Sequence, residues 1–187
     1  MLVLASASPR RQELLRNAGI PFVVEPANIP EEHLPGEPPK IYVERLARGK
    51  AASVRQLHPQ KCVLGADTIV LAGNEVLEKP RDARDAARML QLLSGRSHQV
   101  MTGVCLLGQG FADVRSETTT VKMQNIRQDE IEAYVATGEP MDKAGAYAIQ
   151  GWASRWISGI EGDYFNVVGL PVSLVYRMLK EHGTLNL

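Results

Sequence analysis

The stretch Leu2-Val3-Leu4-Ala5-Ser6-Ala7-Ser8-Pro9-Arg10-Arg11 decides how the fold is read. Leu2 to Ala5 is a short apolar run of the kind that forms a buried strand. Ser8-Pro9 then opens a helix, because serine suits the N-cap and proline the first helical position. Leu14, Leu15 and Ala18 give that helix its apolar face, and Gly19 ends it.

The same alternation continues outward. Residues 21–24 read as a second strand, and residues 26–39, with five prolines, as a loop carrying Glu31, Glu32 and Glu37. Residues 40–57 predict a long helix, since Val43, Leu46, Ala47, Ala51 and Val54 recur at helical spacing. A strand from Cys62 runs through Gly65-Ala66-Asp67-Thr68 to Leu71, and Gly73-Asn74 turns it into a hairpin with residues 75–77. A helix over 82–93 is capped by Asp82 and stopped by Gly95. Two longer strands, 99–107 and 114–123, meet near Gly108-Gln109-Gly110; a helix over 128–137 ends at Gly138. Residues 142–162 read as a glycine-rich irregular stretch and 171–182 as a last helix. Interleaved strands and helices imply an α/β fold with a mixed sheet, here as a single domain over residues 1–187.

Charge narrows the function. Lys+Arg and Asp+Glu are both 21, so there is no basic excess to coat nucleic acid or an acidic membrane. The apolar start ends at Ser6, far too soon for a membrane span. Cys62 and Cys105 lie in apolar runs, form no metal spacing, and read as small buried residues of a chain in the reducing cytoplasm. The P-loop, the dinucleotide GxGxxG and the GxSxG elbow are all absent, and His33, His58, His98 and His182 form no HExxH pair.

Five constellations could carry chemistry. Ser6, Arg10 and Arg11 sit where a strand meets a helix N-terminus, whose free N–H groups suit a polyphosphate; two solvated arginines are the plainer alternative. Lys50 falls on the inward stripe of its helix, so it either snorkels to the edge or points into a pocket. Asp67 is delivered by an apolar strand between small residues, which leave room for ligand and metal unless they mark only a bend. Glu78-Lys79 is a charged pair at a strand end, or simply an exposed hairpin. Gln150, between Ile149 and Gly151, offers a donor and an acceptor that match the imide edge of uracil or thymine, in a stretch that equally suits tight packing. Together they supply cations, carboxylates and a polar reader of base size, which suits metal-assisted phosphate chemistry.

Five segments in order resemble the Maf family of nucleotide pyrophosphatases: LASASPRR at 4–11, GADTIV at 65–70, LEKPRD at 77–82, LSGRSHQVMTGV at 93–104 and MDKAGAYAIQG at 141–151; GDYFNVVGLP at 162–171 is similar too. The resemblance implies an elongated two-lobed α/β fold with a central cleft, related to the inosine-triphosphate pyrophosphatases. It implies hydrolysis of a nucleoside triphosphate between the α and β phosphates with Mg²⁺ or Mn²⁺. Asp67 matches the general base. Ser6, Arg10, Arg11, Lys50 and Lys79 match the phosphate-site residues, and Glu31, or its neighbour Glu32, a loop glutamate that joins Asp67 at the metal. Glu78 is a further candidate there.

Arg10, Thr68 and Gln150 resemble the subgroup that takes dTTP and UTP, and differ from the sister subgroup that prefers 7-methyl-GTP. CTP and modified uridine triphosphates remain within that reading. Asn28 departs from the family, which shows an aspartate there, and supplies no charge. A homodimer is a further expectation of the resemblance. The family's link to septum arrest in dividing cells offers a reading of another class: a nucleotide-binding regulator that releases no pyrophosphate.

Overall fold

In a computed structural model residues 1–185 are described. Seven strands among them form a mixed sheet, in the order β2-β1-β3-β5-β6-β7 with β4 paired to β3. β1 (Leu2–Leu4) lies parallel to β2 (Phe22–Val24) on one side and to β3 (Cys62–Ala72) on the other. β4 (Glu75–Leu77) folds back on β3 as the expected hairpin. β5 (Ser97–Gly108) and β6 (Phe111–Met123) are the two long strands, and β7 (Ile157–Glu161) runs antiparallel to β6 with a bulge at Lys122/Met123.

The helices are α1 (Pro9–Asn17), α2 (Pro39–Leu57), α3 (Ala83–Leu93), α4 (Gln128–Ala136), α5 (Tyr164–Val168) and α6 (Val172–Glu181). Ser8 caps α1 by accepting from the Arg11 N–H, and Asp82 caps α3 by accepting from the Asp85 N–H at 2.7 Å. Gly19, Gly95 and Gly138 follow their helices with φ of 67°, 69° and 75°, the left-handed conformation that ends a helix. The stretch expected to be irregular, 142–162, does contain two short 3-10 turns, Ala144–Ala146 and Trp152–Trp156, but also β7; α5 was not expected either. Both elements are five residues long, too short to show a period.

The chain divides into two compact units. The first comprises residues 1–68, 102–117 and 169–187, and the second residues 69–101 and 118–168. In the first, Val3, Ala5, Ala47, Ala51, Val54, Val63 and Cys105 form a core between α2 and the strands. Cys105 is buried as expected, whereas Cys62 is only half-buried; both thiols are free, and burial pushes that of Cys62 up to about 11.

Two glycines set how closely α2 lies on the sheet. A Cβ on Gly65 would stand 2.8 Å from Ala51 N and nearer still to the Ala47 carbonyl oxygen. One on Gly103 would stand 2.8 Å from Glu44 N and nearer to the Val43 carbonyl. The helix backbone therefore rests directly on β3 and β5, closer than any side chain allows. Gly65 makes room for a helix, where the sequence pointed to room for a ligand.

Candidate active site

The first unit gathers Ser6, Arg11, Glu31, Lys50, Asp67 and Thr68 around the ends of β1 and α1. Lys50 lies one turn beyond Ala47 on α2, and Asp67 two residues beyond Gly65 on β3, so the glycine contact brings them face to face. Lys50 Nζ is 2.7 Å from Asp67 Oδ1 and 2.8 Å from Glu31 Oε1. The Lys50 and Asp67 residues are each 7% exposed, while the Glu31 side chain is about half exposed. Lys50 thus points into the site and does not snorkel.

Glu31 reaches Lys50 because its loop is fastened to α2. Arg45 makes a two-pronged bond to Glu37, at 2.6 and 2.8 Å, and donates to the Glu32 carbonyl at 2.9 Å. Tyr42 donates to the Glu31 carbonyl at 3.2 Å, and His33 packs edge-on against its ring. The bond from Arg45 holds the Glu37 carboxyl below its ordinary value. Of the two neighbouring glutamates, Glu31 presents its carboxylate to Lys50, and Glu32 its backbone carbonyl to Arg45.

Arg11 is placed differently from the expectation of a phosphate ligand. Its guanidinium is buried and donates to the Gly169 carbonyl (2.9 Å), the Ala66 carbonyl (2.9 Å), Ser6 Oγ (3.2 Å) and Thr68 Oγ1 (3.0 Å). Four of its five N–H groups are so engaged, which leaves one for a ligand. Ser6 Oγ also accepts from the Ser8 N–H at 3.3 Å. Thr68, expected to help choose the base, bonds Arg11, Thr102 Oγ1 (2.9 Å) and the Gly169 carbonyl (3.3 Å). Burial lowers the Arg11 guanidinium from its ordinary value; the Asp67 charge opposes this, Arg10 adds to it and Glu31 opposes it. Arg10 is half-buried on the same turn of α1.

Lys79 and Gln150 belong to the second unit, and both are exposed. The backbone around Lys79 is tied down by the Gly145 N–H, which donates to the Glu78 carbonyl at 3.1 Å. Gln150 sits in a turn held from both sides. Tyr134 OH donates to Glu139 Oε1 (2.9 Å) and accepts from the Ala148 N–H (3.3 Å), while the Trp152 N–H donates to Glu139 (3.2 Å). Gly151 has no room for a Cβ, which would stand 2.7 Å from Glu139 Cδ. Sequence reasoning missed Tyr42, Arg45 and Thr102, and missed the role of the Gly169 carbonyl; Arg45 lay off the apolar stripe, and only its charge could have marked it.

Residues 1–182 match the model of the Maf-like proteins. The chain belongs to the Maf family. Among relatives of this Maf chain, a protein of Koribacter versatilis named dTTP/UTP pyrophosphatase is 60% identical, over 98% of this chain and 95% of that protein. One of the same name from Symbiobacterium thermophilum is 52% identical over 97% and 94%. Another from Geobacter sulfurreducens is 48% identical over 98% and 97%. Among solved structures, the Staphylococcus aureus Ham1 protein aligns with a TM-score of 0.52 at 13% identity, covering 97% of this chain and 98% of that one. The likeness to Ham1 establishes the Maf chain's mixed α/β fold. No helix among the described residues is long and apolar enough to cross a membrane.

Proposed function

We propose that this chain hydrolyses dTTP and UTP between the α and β phosphates, releasing the nucleoside monophosphate and pyrophosphate, as a housecleaning enzyme of nucleotide metabolism. The observation that carries the reading is Asp67, a buried carboxylate held at one oxygen by Lys50, which also reaches Glu31. The relatives' shared name supports the substrate.

In the proposed reaction Asp67 orients a water and takes its proton as the oxygen attacks the α phosphorus in line. The bond to the bridging oxygen breaks as the new P–O bond forms, and pyrophosphate leaves with the electron pair. Lys50, Arg10 and the one remaining N–H of Arg11 meet the phosphate charge. Arg11 also keeps Thr68, and with it the strand that bears Asp67, in place. Lys79 and Gln150 enter on the family resemblance alone.

Glu31 and Asp67 fit a divalent ion. Two carboxylates brought to one cation, completed by substrate phosphates, are a donor set that Mg²⁺ or Mn²⁺ accepts. Among the described residues no third His, Cys, Asp or Glu joins them, so the phosphates must supply the remaining ligands. When bound, the ion would neutralise phosphate charge and polarise the attacking water. We place the enzyme in the cytoplasm, in keeping with two free thiols, with no nucleic-acid partner, in keeping with zero net charge, and as a homodimer on the resemblance.

The test is pyrophosphate release from UTP, dTTP, CTP, GTP, ATP and 7-methyl-GTP with Mg²⁺ or Mn²⁺, run beside Asp67→Asn. Release from UTP and dTTP should dominate, and should fall about a hundred- to ten-thousand-fold in the variant without loss of fold. Preference for another triphosphate would reject the base reading. No release from any, with nucleotide still bound, would favour the regulator.

A further inference from the structure

Among the described residues Lys50 reaches both acids at once, at 2.7 Å from Asp67 and 2.8 Å from Glu31. We propose that Lys50 takes the place of the divalent ion on Glu31 and Asp67 in the nucleotide-free protein, so that the ion is taken up with the nucleotide and not before it. The inference rests on the functional reading above.

Charge makes the case. Lys50 and Arg11 carry two positive charges, Glu31 and Asp67 two negative ones, and three of the four side chains are buried. Those four charges balance, and Arg10, whose charge also acts on Arg11, tips the surroundings to positive. Two further positive charges placed on the acids would face an ammonium and a guanidinium in a poorly solvated site, which is costly unless anions arrive as well. A triphosphate brings those anions, and also new acceptors for the lysine.

The two cations are not equally able to move. Arg11 is fixed by four hydrogen bonds from three directions. Lys50 ends in a compact ammonium on a flexible four-carbon stem, and the contacts that hold it are those to the two acids it would give up. Glu31, meanwhile, stays where it is, because Tyr42 and Arg45 hold its loop to α2. Lys50 can thus exchange the carboxylates for phosphate oxygens while both carboxylates remain in position.

Mn²⁺ binding, followed by the electron paramagnetic resonance signal of the free ion, tests this without turnover. The probes are Mn²⁺ alone and Mn²⁺ with α,β-methylene-dUTP, which cannot be cut at the scissile bond. Wild-type protein alone should bind Mn²⁺ weakly, and the analogue should tighten binding on the order of 10- to 100-fold. Lys50→Met should bind Mn²⁺ alone about tenfold or more tightly than wild type, while Lys50→Arg should resemble wild type. If Lys50→Met melts too early to assay, Lys50→Gln takes its place, and every titration with analogue is read against Mn²⁺ and analogue without protein. Mn²⁺ bound by the wild-type protein alone as tightly as with the analogue would overturn the inference and leave the functional reading intact. An analogue that binds neither with nor without Mn²⁺ would overturn the functional reading and the inference together.

Discussion

Arg11 Nη2 donates to Thr68 Oγ1 at 3.0 Å, which fastens the first turn of α1 to β3 one residue beyond Asp67. An arginine that the motif assigns to phosphate is mostly occupied by the protein. Its neighbour Arg10 carries the charge on that turn that is not buried against the sheet. The two should therefore respond differently to mutation. Arg11→Met should lower stability by about 2–4 kcal/mol, because the Ala66 and Gly169 carbonyls lose their donor. Arg10→Ala should weaken UTP binding about tenfold or more. Thermal melts beside nucleotide titrations separate the outcomes; an Arg11→Met variant that melts like wild type would return Arg11 to the role of a plain ligand.

Gly65→Ala should be among the most damaging single changes in the first unit. The added Cβ meets helix backbone, which cannot swing aside, so a cost near the upper end of overpacking is expected, about 3 kcal/mol. Urea unfolding reads the stability. Pyrophosphate release by the fraction still folded should fall as well, because lifting α2 draws Lys50 away from Asp67.

The loop clamp can be tested apart from the acids. Arg45→Gln removes the two-pronged bond to Glu37 and the bond to the Glu32 carbonyl, and frees the segment that carries Glu31. The Mn²⁺ concentration that gives half-maximal activity should rise about tenfold, as when the outer partner of a metal ligand is lost. An unchanged metal requirement would show that Glu31 needs no such support.

Acid stability should report on His98 in the second unit. Its Nε2 lies 2.7 Å from Tyr147 OH, and its Nδ1 is buried without a partner. Burial pushes the imidazole down to about 4 from an ordinary 6.5. The unfolded chain therefore binds a proton between pH 6.5 and 4 that the folded chain refuses. Stability is full above that window and should fall through it by about 3 kcal/mol. His98→Leu should be less stable at pH 7 by about 1–3 kcal/mol, since Tyr147 OH loses its partner, yet should change less on acidification. Melting curves across pH 4–7 compare the two slopes.

Much of this was legible in the sequence because it depends on period and caps. The helical count from Val43 turned Lys50 inward, and in the folded chain it lies on Asp67. Asp67 itself was marked by standing in an otherwise apolar strand. What could not be read depends on which way a side chain turns and what lies across from it. Arg11 and Arg10 are alike in the string, and only packing sends one beneath the helix. Glu37 and Arg45 stand eight residues apart across a proline-rich loop, a spacing that no helix or strand pattern predicts. Ile157–Glu161 became a strand because Met123 and its neighbours in β6 were there to pair with it.

Gly65 and Gly103 bear on how changes in this protein are to be interpreted. Neither has a side chain to offer to the reaction, yet a methyl group on either would wedge the helix off the sheet. In a collection of inactive variants they would score beside Asp67 and be mistaken for members of the reacting set. Their contribution is a thickness: the gap between two layers is itself the dimension to which the lysine and the acid are cut.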